Sequence, residues 1–190
     1  STLSSSSAAS DVYKRQQQKC YELDDEPRWL LALISDTGLR LSEAVGLAIS
    51  DIKLDCPTPH LIIQPHPWRS LKTKSSQREV PLVGASLWAI RRIIDNSNPT
   101  FAFPRYNDGE LANANSASAA LNKWLKPLVS EGCVVHSFRH AMRDRLRAVE
   151  CPKEIIDQIG GWSSSDVGES YGEGFSLDNI NKWLIKIIKS

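Results

Sequence analysis

Between Pro27 and Gly38 the chain carries Trp29, Leu30, Leu31, Leu33 and Ile34, an apolar stripe at helical spacing that has to be covered by other elements. Pro27 suits the first turn of that helix and Gly38 suits its end. The same punctuation divides the rest of the chain. Ser42 is placed to cap a second, short helix carrying Glu43, Ala44 and Leu47. Trp88, Ile90, Ile93 and Ile94 mark another, and residues 117–126 a further one stopped by Pro127. His136 opens a long helix with Phe138, Ala141, Met142, Leu146 and Val149 inward. Pro152 begins the next, with Ile155, Ile156 and Ile159 inward and Gly160-Gly161 at its end. A short helix is predicted over residues 165–171. Ser176 caps a last amphipathic helix whose apolar set is Leu177, Ile180, Trp183, Leu184, Ile187 and Ile188. Residues 52–54, 61–63 and 79–82 read as short strands. The predicted fold class is mainly α with a small antiparallel β-sheet, α+β.

A chain of 190 residues can bury a substantial single core. No apolar run approaches the roughly 20 residues of a membrane span, and the Ser-rich start lacks the pattern of a secretory signal. Cys20, Cys56, Cys133 and Cys151 are widely spaced, which argues against a zinc site or a disulfide framework and fits a reducing cytosol. Residues 1–18 are low in complexity and are expected to be disordered, and not native to the domain. The net charge is only +1, but basic residues gather at Arg69, Lys72, Lys74 and Arg78, and again at Arg139, Arg143, Arg145 and Arg147. Such faces can hold a phosphate backbone on a near-neutral protein.

Chemistry is concentrated in separate segments: Thr37-Gly-Leu-Arg40-Leu-Ser-Glu43, Leu71-Lys72-Thr-Lys74, His136-Ser-Phe-Arg139-His140, and Gly161-Trp162 with Tyr171 nine positions on. Cleaving a phosphodiester builds negative charge on the non-bridging oxygens. Guanidinium forks match that charge in shape and sign, and act best when placed in advance. Arg40 and Arg139 are the candidates. Arg40 follows the tight Gly38 turn. Arg139 lies three residues after His136, so the two side chains share a helix face.

These segments resemble the tyrosine recombinases of the phage integrase type. TGLRLSEAVGL is similar to the first arginine box of that family, HSFRH to its HxxR box, LKTKSSQREVPL to its lysine-bearing hairpin, and GGW with the later Tyr171 to its terminal box. Trp162 stands where many members carry a second histidine. The similarity runs from about residue 27 to 176, and implies a tyrosine-recombinase catalytic-domain fold.

The resemblance implies roles. Tyr171 attacks the scissile phosphate and becomes a 3′-phosphotyrosine. Arg40 and Arg139 clamp the non-bridging oxygens. Lys72, or alternatively Lys74 in the same connection, protonates the leaving 5′-oxygen. His136 is the general acid/base, and Trp162 donates its indole N–H to the phosphate. Glu43 orients Arg40, and His140 supports the site or the fold. Lys74, Arg78 and Arg143 are expected DNA contacts. The resemblance calls for no metal and no other cofactor. Its partner is double-stranded DNA, bound by a homotetramer on synapsed sites, in the cytoplasm of a bacterium at the nucleoid, with the gene bacterial or phage-borne.

The domain plan expected is a catalytic domain over residues 19–176 and a C-terminal helix over 177–190, whose apolar stripe could dock onto a neighbouring subunit. Residues 1–26 leave no room for the family's N-terminal core-binding domain, so a truncated form is expected. Two other readings stay open on sequence: a DNA-binding remnant without activity, and a type IB topoisomerase-like nicking-closing enzyme.

Overall fold

In the computed structural model, which describes residues 3–96, 98–162 and 174–190 (side chains from residue 13 onward), the elements gather around one helix. That helix is α2 (Glu26–Thr37). The Asp25 carboxylate caps it by accepting from the Arg28 N–H at 3.2 Å. Gly38 ends it in the left-handed region, at φ +67°, its N–H returning to the Ile34 carbonyl at 2.9 Å. Every residue from Trp29 to Thr37 is buried, polar ones included, because neighbours cover the helix on all sides. It packs against α1 (Leu3–Leu23), α4 (Gly84–Asp95) and α6 (Val135–Ala148), and touches α3 (Leu41–Val45) and α5 (Ala114–Leu125).

The sheet is small and antiparallel, in the order β1 (Ile52–Lys53), β2 (His60–Ile63), β3 (Arg78–Pro81). Leu61 pairs with Val80 and Ile63 with Arg78, which sets Leu61, Ile63 and Val80 into the core. Pro81 is tolerated because β3 is an edge strand.

Two apolar clusters form. The larger surrounds α2 and takes Val135 and Phe138 from α6; the smaller takes Met142 and Leu146 from α6 and closes it with α7 (Lys153–Gly160) and α8 (Leu177–Lys189). One helix is thus anchored in both cores, and Arg139 sits between its two sets of anchors.

The structure differs from the sequence expectations at several points. Residues 1–18 were expected to be disordered, yet α1 begins at Leu3 and runs on through Leu23. Its Tyr13, Gln16 and Cys20 are buried at one-turn spacings, and Gln16 donates to the Leu128 carbonyl at 3.0 Å. Tyr13 and Cys20 join the larger core while Gln16 and the Tyr13 hydroxyl make polar ties, a stripe too sparse to stand out as a hydrophobic period. Ser42 does not cap α3. Arg40 occupies the N-cap position, and the Glu43 carboxylate accepts its backbone N–H at 2.9 Å. Helix α5 begins at Ala114, with Asn113 accepting from the Ser116 N–H. The apolar stripe of α8, expected to be open to a neighbour, is covered within the chain: Ile180, Leu184 and Ile187 are buried against α6 and β3. The helix expected over residues 165–171, with Tyr171, lies outside the described residues.

A buried carboxylate ties four of these helices together. Asp36 of α2 pairs with Arg145 of α6 at 3.1 Å, accepts the Ala85 N–H of α4 at 2.7 Å, and is bonded by the Tyr13 hydroxyl of α1. The Arg145 guanidinium also lies 3.8 Å from the Tyr13 ring centre and reaches the Ile187 carbonyl of α8. Burial pushes the Asp36 carboxyl up and the Arg145 guanidinium down, and each opposes the other's shift. Removing one member of such a pair strands the other charge. Arg145→Met should therefore lower unfolding stability by about 3 kcal/mol, measured by urea denaturation. A loss under about 1 kcal/mol would mean the pair is peripheral to stability.

Candidate active site

The first functional arginine is positioned by the end of α2. The chain leaves Gly38 and turns at once into α3, so Arg40 stands at a helix start with its backbone held by Glu43. Its side chain reaches across to other segments. Nη1 donates to Glu43 Oε1 at 2.8 Å and to Ser76 Oγ at 3.0 Å, and Nη2 donates to the Gly161 carbonyl at 3.2 Å. The Thr37–Glu43 segment, the β2–β3 connection and the Gly160-Gly161 turn meet through this one guanidinium.

Glu43 is the hub of the site. It is 2 % exposed, and it also binds Arg78, with Nη2 to Oε2 at 3.0 Å and Nη1 to Oε1 at 3.2 Å. Its backbone carbonyl accepts from Arg69 Nη1 at 2.6 Å. Burial alone would raise the Glu43 carboxyl. Arg78 and Arg40 together outweigh burial and leave it below the usual carboxylate range.

The second functional arginine comes from α6. Arg139 is 3 % exposed and donates from Nη1 to the Gly38 carbonyl at 2.6 Å. Its Nη2 is buried without a hydrogen-bond partner among the described residues. Burial, and then Arg40 beside it, hold its guanidinium down to about 10, with Glu43 opposing and Arg78 and Arg143 adding. It stays charged at neutral pH. A buried cation with an unused donor, crowded by like charges, is a place prepared for an anion.

His136 and Lys72 belong to the same neighbourhood. The His136 imidazole is lowered from its ordinary value by partial burial first, then by His140, Arg139, Arg40 and Lys72. His140 lies edge-on to it, at 4.9 Å between ring centres, and is itself exposed. Lys72 is exposed on the β2–β3 connection, as is Lys74 at the start of a single 3-10 turn, Lys74–Ser76.

Trp162 closes the site from the α7 side. Its ring lies 4.3 Å from the Arg139 guanidinium carbon and 5.1 Å from that of Arg143, one helical turn further along α6. It lies so close to Gly160 that a Cβ there would sit 1.8 Å from Trp162 Cζ3. Gly161 follows at φ +61°, and a Cβ on it would meet Arg78 Nη1 at 2.7 Å. The paired glycines thus let the backbone pass under a tryptophan and against a buried arginine.

Of the residues singled out in the sequence, the structure sets Arg40, Glu43, His136, Arg139 and Trp162 close together, with His140 at their edge and Lys72 near enough to act on the His136 imidazole. Tyr171 lies outside the described residues. One expectation is corrected: Arg78 is not on an outer DNA-facing surface. It is buried, with Nε donating to the Ile159 carbonyl at 2.7 Å, because strand alternation turns it inward with Val80. Arg69, read as part of the same basic face, is buried too, and its Nη2 donates to the Gln64 carbonyl. Sequence reasoning also missed Ser76 and the carbonyls of Gly38 and Gly161, which carry no side-chain signal for contact over such separations.

Three comparisons bear on this arrangement. Residues 7–173 match the family model described as the phage integrase family. The chain is 26 % identical over 157 residues to the tyrosine recombinase XerD of Corynebacterium glutamicum, covering 78 % of this chain and 48 % of that protein. The chain therefore spans about half the length of that relative. Among solved structures, the fold is similar to the Tn1549 transposon integrase in complex with transposon right end DNA, at TM-score 0.56 and 17 % identity over 85 % of this chain and 58 % of that one. It is similar as well to the XerH site-specific recombinase bound to its difH substrate, at TM-score 0.54 and 16 % identity over 90 % of this chain and 48 % of that one. XerA recombinase gives TM-score 0.58 at 15 % identity over 94 % of this chain and 59 % of that one. With its arginine boxes gathered around Glu43 and its matching segment running through almost the whole length, the chain belongs to the phage integrase family of tyrosine recombinases.

Proposed function

We propose that this chain is the catalytic part of a site-specific DNA recombinase that cuts and rejoins double-stranded DNA through a covalent phosphotyrosine. The observation that carries the reading is the buried Nη2 of Arg139, which has no hydrogen-bond partner among the described residues and is crowded by the cations of Arg40, Arg78 and Arg143, with His136 beside it. A DNA phosphate supplies the missing charge.

The chemistry follows from the groups present. The Tyr171 oxygen attacks phosphorus, and the bond to the 5′-oxygen breaks. Arg40 and Arg139 hold the non-bridging oxygens as charge builds on them. His136, whose imidazole is held below its ordinary value by burial and the neighbouring cations, takes the phenol proton. Lys72 gives a proton to the departing 5′-oxygen, and Lys74, exposed further along the same connection, pairs with the DNA backbone. One phosphodiester is exchanged for another, so a 5′-hydroxyl can reverse the step without ATP. The reading extends to four copies on two synapsed sites, working at the nucleoid, as the resemblance implies. Exchange of α8 between copies would first have to release Ile180, Leu184 and Ile187 from their own chain.

The forks have to be fixed before DNA arrives: Glu43 fixes that of Arg40, and the Gly38 carbonyl holds that of Arg139. Its carboxyl titrates below 4.5 when folded and near that value when unfolded. The stability it adds is therefore present above pH 4.5 and lost as pH falls through the lowered folded value. Glu43→Gln should destabilise the fold by about 3 kcal/mol at pH 7 and flatten this acid limb in thermal melts. It should also slow DNA cleavage about a hundredfold, through misplaced forks.

A nicked suicide substrate, resolved on a denaturing gel, tests the central step. The chain should become covalently joined to DNA, and Tyr171→Phe should form no adduct. Equal capture by both would remove Tyr171 from the mechanism, and a chain that binds DNA without any capture would favour the inactive remnant. At subsaturating DNA the capture rate should fall with acid only below pH 6.5, and His136→Gln should abolish that dependence. Persistence of the limb in the variant would assign it to another group.

A further inference from the structure

Arg143 is not where a DNA-gripping arginine is expected. Its side chain is only 31 % exposed, and its guanidinium is turned toward the protein. The Trp162 ring lies across both Arg139 and Arg143, at 4.3 and 5.1 Å from the two guanidinium carbons. Asp157 of α7 joins this group, with Oδ1 3.9 Å from Arg143 Nη2 and with its backbone carbonyl accepting the Trp162 backbone N–H at 2.9 Å. Lys153 also reaches Asp157, at Oδ2, 3.0 Å away. Arg143 Nε is buried without a hydrogen-bond partner among the described residues. The arrangement is a stack: Gly160 backbone, indole, and two guanidiniums one turn apart on α6.

Placing a second cation beside Arg139 has an electrostatic cost, and Arg143 is one of the groups that lower the Arg139 guanidinium. The negative face of the indole and the Asp157 carboxylate offset that cost. What the stack provides is geometry. Two cations and the close Gly160 backbone restrict the tilt of the indole, and so the direction of its N–H relative to the Arg139 fork.

We propose that Arg143 is a positioning residue that holds the Trp162 indole against Arg139, and not a contact to the DNA backbone. This rests on the strand-transfer reading, but its test does not depend wholly on it. In ¹H–¹⁵N spectra of the full chain the six tryptophans give separate indole N–H signals, and Trp162→Phe identifies the one from Trp162. Arg143→Met keeps most of the stem and removes the cation. It should move or broaden the Trp162 signal and leave the other indoles in place. Arg143→Lys, which keeps charge but not the planar face, should restore the signal in part.

On DNA, Arg143→Met should lower covalent capture at saturating substrate about tenfold. The slope of log affinity against log salt should stay unchanged, because no phosphate contact is lost. In a Trp162→Ala background the same substitution should add nothing further. An unmoved Trp162 signal would overturn the proposal. So would a salt slope reduced by about one with capture at saturation unchanged, the signature of a direct phosphate contact. Should the unsubstituted chain form no Tyr171-dependent adduct, the strand-transfer reading fails, while the indole signal still decides where Arg143 acts.

Discussion

A single buried carboxylate organises this site. Glu43 is almost fully removed from water, and a lone charge there would be strongly disfavoured. It is tolerated because two guanidiniums and a backbone N–H reach it from separate parts of the chain. The same bonds that satisfy Glu43 locate Arg40 and Arg78, and Arg40 and Arg78 in turn hold the carbonyls of Gly161 and Ile159. Fold stability and fork placement are therefore one constraint. The β2–β3 connection and the end of α7 cannot shift without disturbing a buried ion pair.

Helix α6 applies a second constraint of a different kind. Its position is set by packing, with Val135 and Phe138 in one core and Met142 and Leu146 in the other. Arg139 lies between these anchors and inherits their rigidity. Its guanidinium has one arm used by the Gly38 carbonyl and one arm without a partner among the described residues. Packing energy is thus converted into an unmet electrostatic demand. Preorganised donors of this sort need no rearrangement when an anion enters, which is where their catalytic value lies.

Much of this was legible along the chain. The helical stripes gave α2, α4, α6, α7 and α8, and the boundaries held where a cap or a glycine marked them, as at Gly38, Gly161 and Ser176. Arg40 and Glu43 are close in sequence, so their pairing could be read from spacing. His136 and Arg139 share a helix face for the same reason. The misread residues share a feature: each has its partner far away along the chain. Arg78 and Arg69 looked like a solvated basic face, since basic residues in a connection usually are. Strand alternation at Arg78 and Val80 was the available signal for the first. Nothing local marked the polar face of α1, where Tyr13 meets Asp36 across 23 residues.

The sequence by itself determined the element types from Glu26 onward, the family resemblance and which side chains could carry phosphate chemistry. These follow from local periodicity, capping and residue type. Only the tertiary structure decided which arginine keeps a donor without a partner among the described residues and which are internal ties, and whether α8 is covered by its own chain. Those outcomes depend on burial and on partners brought together by folding. A guanidinium has the same formula in either role, and its surroundings alone distinguish them.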